Sequence, residues 1–452
     1  MAFRKRRSDG RSNLKTVLYI SYDGMTDPLG QSQVIPYLTG LAKRGHSITV
    51  LSCEKRHNFA LLHERCESVF ADSGIEWHHV PYSKRPPVLS TYLDLARMRR
   101  LGKKLHARKQ FDIVHCRTIL SVLVGHSLAR PSSTKAGAKP RAKPGAQLGA
   151  KLIFDMRGFW ADERVEGSLW NLSNPIYRGL YKYFKRKERQ FFREADLVVT
   201  LTQRAKEFIQ SPSCVAKGAE EITTEIAPEN AAEIARNITV VPCCVDTDHF
   251  SPESVDPEIV SRHRQELGLA SDTFVLMYLG SLGTRYMLGE MMRFFAVVRR
   301  EDPGARFLIV TRGDPALIRS AASDAEVDPS AVSIVSSTYE EIPNLIALAD
   351  AAVFFIKTGV SGKAVSPTKQ AELLAMGVRV VCNAGIGDCD EILGGSGAGI
   401  IVDAMTEDAF LDAATRLRAP DGLSGDRIRQ IALDGLSLES GIARYHDAWE
   451  SL

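Results

Sequence analysis

The sequence predicts an α/β protein built from two doubly wound parallel sheets. Three observations carry that expectation. Apolar segments of strand length alternate with longer amphipathic ones, the alternation lapses near residue 242 and starts afresh at Phe274, and 452 residues exceed what one ordinary core sustains. Strands of such sheets are covered on both faces, so they read as continuous apolar runs.

Leu14–Ser21 opens the chain's folded part as an apolar strand, and Asp23–Gly30, rich in Gly, Pro and Asp, leads into a helix from about Ser32. Val34, Tyr37, Leu38, Leu41 and Ala42 stand at i, i+3, i+4, i+7 and i+8 of that helix, one apolar stripe, and Gly45 ends it. Next come a strand at Ser47–Cys53, a basic helix at Thr91–Lys109, and strands at Asp112–Cys116 and Lys151–Met156. A long helix at Pro175–Glu194 runs into the strand Ala195–Leu201, a short helix through Ile209, and the strand Ile238–Val241. Residues 130–150 and 211–237 lack periodicity and read as insertions in a first domain of residues 14–242, which follows a basic tail over 1–13. Beyond a hinge expected within Pro242–Asp272, a second domain over 243–435 carries strands at Phe274–Leu279, Arg306–Val310, Val332–Ser336, Ala351–Ile356 and Arg379–Asn383. Its helices start near Met287 and cover Ile342–Leu348 and Lys369–Met376, and a last helix over 436–452 is expected to return to the first domain.

Composition narrows the function classes. Hydrophobic residues make up 44% and charged ones 25%, which excludes a disordered or fibrous chain. The 58 basic and 54 acidic side chains nearly cancel, so bulk charge does not point to nucleic acid. No apolar run has the length of a membrane span, and the basic start lacks the apolar stretch of a secretory signal. The eight cysteines form no Cys-x-x-Cys pair, which suits reduced thiols and a cytoplasmic setting.

In doubly wound sheets ligands bind beyond the carboxyl ends of the strands, so chemistry is expected there. The first strand is followed by neither Gly-x-Gly-x-x-Gly nor a Walker A sequence, which leaves a Rossmann dehydrogenase without its fingerprint. Instead Asp23-Gly24-Met25-Thr26-Asp27-Pro28-Leu29-Gly30-Gln31-Ser32 presents a loop whose amides can meet an anion, or which simply turns tightly into a helix. Tyr278-Leu279-Gly280-Ser281-Leu282-Gly283-Thr284-Arg285 repeats the pattern with small residues, hydroxyls and then a cation, a set suited to phosphate unless Arg285 is a solvated helix-cap residue. The densest signal is Ser366-Pro367-Thr368-Lys369-Gln370-Ala371-Glu372-Leu373-Leu374-Ala375-Met376-Gly377. Thr368 and Lys369 fall in a helix's first turn and Glu372 follows Lys369 at i+3, so an ammonium can meet phosphate while a carboxylate accepts from ribose hydroxyls. A local surface ion pair is the other reading of the same spacing.

Taken together, these segments resemble the retaining GT-B glycosyltransferases of the group-1 (GT4-type) class. The resemblance runs from Leu14 to the final helix. It rests on the opening strand, loop and helix ending in Leu41-Ala42-Lys43-Arg44-Gly45-His46, on Asp112-Ile113-Val114-His115, on Ala195-Asp196-Leu197-Val198-Val199-Thr200, on Val241-Pro242 with Val245-Asp246-Thr247-Asp248-His249-Phe250, on Ala349-Asp350-Ala351, and on Glu372 with Gly377. It implies GT-B architecture and metal-independent transfer of a sugar from a nucleotide-sugar to an acceptor hydroxyl, with retention and no cofactor beyond the substrate. It further implies a donor site of Glu372, Lys369, Thr368, Arg285, Ser281 and Gly283, with Gly30 closing from the other domain. Catalytic roles fall to Arg157, Asp155 and His115, and acceptor contacts to Trp160 and Asp162.

This chain departs from the family pattern at three places. The first of two glutamates often found seven residues apart is Ala364, with Ser361 and Ser366 as possible substitutes; the common Gly-Arg of the phosphate loop is Gly280-Ser281; and Arg157 stands where many members carry His. The Ser-Pro-Thr-Lys form suggests a subgroup. Alternatives on the same fold are an epimerase or hydrolase of nucleotide-sugars, or a non-catalytic subunit that binds them. The implied partners are the donor and a sugar or lipid-linked acceptor, with no nucleic acid. The basic helices Thr91–Lys109 (Arg97, Arg99, Arg100, Lys103, Lys104, Arg108, Lys109) and Tyr177–Arg193 (Lys182, Lys185, Arg186, Lys187, Arg189, Arg193) are either solvated faces or a means of docking on the anionic inner face of a membrane.

Overall fold

The computed structural model describes residues 14–86, 88–130, 149–211, 237–419 and 422–452. The basic tail lies outside the described residues, as do nearly all of the two expected insertions. The first sheet contains β1 (Thr16–Ser21), β2 (Ser47–Glu54), β3 (Glu76–Pro81), β4 (Ile113–Arg117), β5 (Lys151–Asp155), β6 (Leu197–Thr200) and β7 (Ile238–Val240), in the order β3-β2-β1-β4-β5-β6-β7. The second contains β8 (Val275–Leu279), β9 (Arg306–Val310), β10 (Val332–Val335), β11 (Ala351–Phe354), β12 (Arg379–Asn383) and β13 (Gly399–Val402), in the order β10-β9-β8-β11-β12-β13. Two doubly wound parallel sheets are therefore present. Strand order reverses between β1 and β4 in one and between β8 and β11 in the other, and such reversals open the crevices where ligands of these sheets bind.

Register follows from burial on both faces. Leu18 of β1 pairs with Thr49 on one side and Val114 on the other, all parallel. In the second sheet β8, Val-Leu-Met-Tyr-Leu, is buried along its whole length, and Phe294, Phe295, Phe307 and Phe354 pack around it in one core.

Local differences from expectation have local causes. The helix expected from Ser32 begins earlier and is broken in two, Pro28–Gln33 and Ile35–Lys43, with Val34 between them. Each begins with a proline at its first or second position, where a missing N–H costs nothing. Edge strand β3, Glu-Trp-His-His-Val-Pro, escapes sequence reading because only Val80 of it is buried. The helix Thr118–Ala129 is apolar nearly all round and so shows no stripe.

By its contacts the chain forms two compact units. One holds the described residues up to Asp155 with Glu194–Val198 and Ile442–Leu452, and the other holds Met156–Arg193 with Val199–Gly441. The hinge segment expected over Pro242–Asp272 contains a helix, Pro257–Glu266, capped by the Asp256 carboxylate.

Candidate active site

In the second unit β8 ends at Leu279 and the chain turns at Gly280, whose φ of +124° favours glycine. A Cβ there would stand 2.9 Å from Lys369 Nζ, so the turn also needs the room. Lys369 lies in the helix Thr368–Ala375 and is 6% exposed. Its ammonium sits 3.7 Å from the ring centroid of Tyr286 and 4.2 Å from that of Tyr278, and it donates to Tyr278 Oη at 3.1 Å. The Tyr278 hydroxyl in turn donates to the Ser281 carbonyl at 2.5 Å, which fixes the turn.

Aromatic faces and a hydroxyl hold an ammonium without neutralising it. Burial accordingly pulls the Lys369 pKa down to about 7, with Glu372 pulling the other way. One helical turn on, burial pushes the Glu372 carboxyl up to about 7, opposed by Lys369. Among the described residues no donor lies within hydrogen-bonding reach of the Glu372 carboxylate. A buried cation held by aromatic groups and a half-buried acid without a protein donor among the described residues thus lie one helical turn apart.

Arg285 stands on the same loop, its carbonyl accepting from the Lys357 amide at 2.9 Å beyond β11. Its guanidinium meets Glu163 Oε1 at 3.1 Å and donates to Ser361 Oγ at 3.1 Å. Burial outweighs that ion pair at Glu163, whose carboxyl stays above its ordinary range. Ser366 Oγ accepts from the Cys243 amide at 3.1 Å, and Arg157, held at a left-handed φ of +55°, donates to Cys243 Sγ at 3.4 Å. Ser281, Gly283 and Thr284 are exposed and Thr368 is half-buried. One unit therefore brings Lys369, Glu372, Thr368, Arg285, Ser281, Gly283 and Arg157 onto its strand-end loops and the helix starts beside them.

Other expected residues have different company. His115 and Asp155 are 1% and 0% exposed in the first unit. Trp449 Nε1 donates to His115 Nδ1 at 3.1 Å, which places the ring proton of the neutral form on Nε2, 3.5 Å from Asp155 Oδ2. Tyr445 donates to the same carboxylate oxygen at 3.0 Å. The pair thus binds the last helix to β4 and β5. Trp160, expected to stack on a sugar, has Arg164 4.7 Å from its ring centroid and Phe184 packed beside it. Asp162 accepts from Tyr181 at 2.8 Å and from Lys185 at 2.7 Å.

The glycine loop after β1 does meet an anion, but the anion is the protein's own. The amides of Met25 and Thr26 donate to Glu54 at 2.7 and 3.2 Å. A Cβ on Gly30 would fall 2.2 Å from the Gly24 carbonyl, so Gly30 serves that close packing. Sequence reading did not single out Tyr286, Glu166 or Gly359. The available signal for Tyr286 was its place one residue after Arg285 in the turn.

Residues 34–213 match the family model of the glycosyl transferase 4-like domain, and residues 273–419 match that of the glycosyl transferases group 1. The chain belongs to the glycosyltransferases. Similar solved structures include a glycosyltransferase from Rickettsia africae at 14% identity and TM-score 0.61, with 97% of this chain and 98% of that one covered. HepE from Anabaena, in complex with UDP and glucose, gives 13% identity and TM-score 0.58 over 97% and 100% of the two chains. WaaG, a glycosyltransferase involved in lipopolysaccharide biosynthesis, gives 14% and 0.60 over 96% and 99%. At these identities the likeness shows the GT-B fold. No curated protein matches the sequence. Within this glycosyltransferase the group-1 match contains the Gly280 turn, Arg285, Lys369 and Glu372.

Proposed function

We propose that the protein is a retaining glycosyltransferase that moves a sugar from a nucleotide-sugar donor to an acceptor hydroxyl, in polysaccharide or glycoconjugate synthesis. The observation that carries this reading is the Lys369–Glu372 pair, a buried ammonium without a carboxylate on it and a half-buried carboxylate without a protein donor among the described residues. A diphosphate would draw the proton back onto Lys369, and ribose hydroxyls would supply the donors that the Glu372 carboxylate lacks. HepE, whose complex contains UDP and glucose, lends support to a nucleotide-sugar as the donor.

In this reading Lys369 and Arg285 stabilise the charge that develops on the leaving diphosphate, the main way of lowering the barrier with protein groups alone. The departing phosphate helps take the acceptor proton, so no cofactor or metal enters, and turnover should survive a chelator. Residues 14–242 would form the acceptor-side domain, 243–435 the donor-side domain, and 436–452 a helix returning to the first. The Ser-Pro-Thr-Lys sequence would mark a subgroup.

Docking on the inner face of a membrane would bring a lipid-linked acceptor within reach. Among the described residues no helix is long and apolar enough to cross a membrane. The helix Pro175–Glu194 supports peripheral docking with exposed Ile176, Arg178, Lys182, Tyr183 and Arg186, although Lys185 is spent on Asp162. Pelleting with anionic vesicles at low salt tests it, and no pelleting refutes it.

A thermal-shift panel of UDP-, GDP-, ADP- and dTDP-sugars tests the donor, since a specific ligand raises Tm by mass action. One nucleotide class should stabilise the protein, and the selected donor should yield a glycosylated product with retained anomeric configuration. Stabilisation without transfer to any acceptor would favour a binding subunit, and no stabilisation at all would overturn the proposal.

A further inference from the structure

We infer that Glu166 is the carboxylate that reads the hydroxyls of the donor sugar; this inference rests on the glycosyl-transfer reading of the site. A sugar attached to a diphosphate presents mainly O–H donors, and a carboxylate is the side chain that accepts from two of them at once. The segment Ser361–Ala364 cannot supply one itself, because Ala364 is 1% exposed and carries only a methyl group. A carboxylate reaches that segment from elsewhere.

Glu163 and Glu166 stand at i, i+3 on the helix Trp160–Glu166 and so share a face. Glu163 goes to Arg285. Glu166 goes to Ser361, whose amide donates to Oε1 at 3.2 Å and whose hydroxyl bonds Oε2. Both partners of Glu166 are neutral, and among the described residues no cation stands within 4 Å of it. Two of its roughly four acceptor positions are taken, and the residue is half-buried, so the others remain for solvent or a ligand.

The seat is built for this side chain. A Cβ on Gly359 would lie 2.5 Å from Glu166 Oε1 and 2.6 Å from its Cδ, and Gly359 is not held at a positive φ. An alanine there would push the carboxylate aside without straining the backbone. Ser361 also accepts from Arg285 through its hydroxyl oxygen, which links the sugar-reading carboxylate to the phosphate-binding cation. An anion at this point repels phosphate and attracts hydroxyls, so it discriminates between the two ends of the donor. Ser361 and Gly359 act as positioning residues.

The test compares two ligands on each variant by calorimetry, the nucleotide-sugar chosen by thermal shift and the matching nucleoside diphosphate. Glu166→Ala should weaken the nucleotide-sugar about tenfold or more, the size of a lost charge-assisted hydrogen bond, while the nucleoside diphosphate binds as before or more tightly. Glu166→Gln should recover part of the loss, and Gly359→Ala, which displaces the carboxylate without removing it, should reproduce the selective effect. Equal weakening of both ligands, or of neither, in variants that keep their Tm would overturn the assignment alone. A wild-type chain that binds neither ligand would overturn the reading of the site, and the assignment with it.

Discussion

Two lysine–glutamate pairs at the same i, i+3 spacing, Lys185–Glu188 and Lys369–Glu372, lie in helices of the second unit; burial raises both glutamates, but the two lysines shift in opposite directions. Lys185 donates to Asp162 at 2.7 Å and also to Glu188, while Tyr181 donates to Asp162 at 2.8 Å. Burial pulls the Lys185 pKa down, but Glu188 and Asp162 outweigh it and the net shift is upward. Lys369 has two tyrosine rings and a phenol in place of two carboxylates, and its pKa falls to about 7. A satisfied charge network holds a helix in place. An unsatisfied pair keeps its interaction energy for something that arrives.

The largest expected effect breaks the satisfied pair. Lys185→Met leaves two buried carboxylates without their cation and should cost about 3–5 kcal/mol in urea denaturation, with donor affinity of the folded protein unchanged. Donor affinity that fell with Lys185 would erase the distinction. The unsatisfied pair should respond in the opposite sense. Lys369→Met combined with Glu372→Leu removes a buried cation and a half-buried acid together, so stability should hold or rise by about 1–4 kcal/mol while donor binding disappears. A large drop in Tm would mean that the pair is structural.

Donor affinity should also depend on pH in a way that Lys185 cannot produce. Lys369 loses its proton as pH rises through about 7, and Glu372 gains one as pH falls through about 7. Both charged forms coexist best near neutrality, so affinity should peak there and weaken about tenfold some one to two pH units to either side, with apparent pKa values that belong to the pair. A flat profile from pH 5.5 to 8.5 would contradict these shifts. The smallest effect belongs to the interior of the first unit. Tyr445→Phe removes one donor from Asp155 and should cost about 1–3 kcal/mol of stability, with no change in donor affinity.

Sequence periodicity made both sheets legible because their strands are buried on both faces and therefore uniformly apolar, as β8 is. It missed β3, whose edge position leaves polar residues along most of its length. The Lys369–Glu372 site was legible because its residues share one helix turn, so spacing alone brings them together. His115, Asp155, Asp162 and Trp160 were harder to place. Their partners, Trp449, Tyr445, Lys185 and Phe184, lie 23 to 334 positions away in sequence, and no local pattern records them. Glu166 and Gly359 escaped for the same reason: the close approach that joins them exists only in the folded chain.

The central claim is that Lys369 and Glu372 grip the donor nucleotide-sugar. Titrating the donor selected by thermal shift into the wild-type protein and Glu372→Ala by calorimetry at pH 7.5 tests it most directly. The account predicts a dissociation constant raised at least about tenfold with Tm nearly unchanged, the signature of a lost hydrogen bond to a charged group. Equal dissociation constants in the two proteins would contradict it.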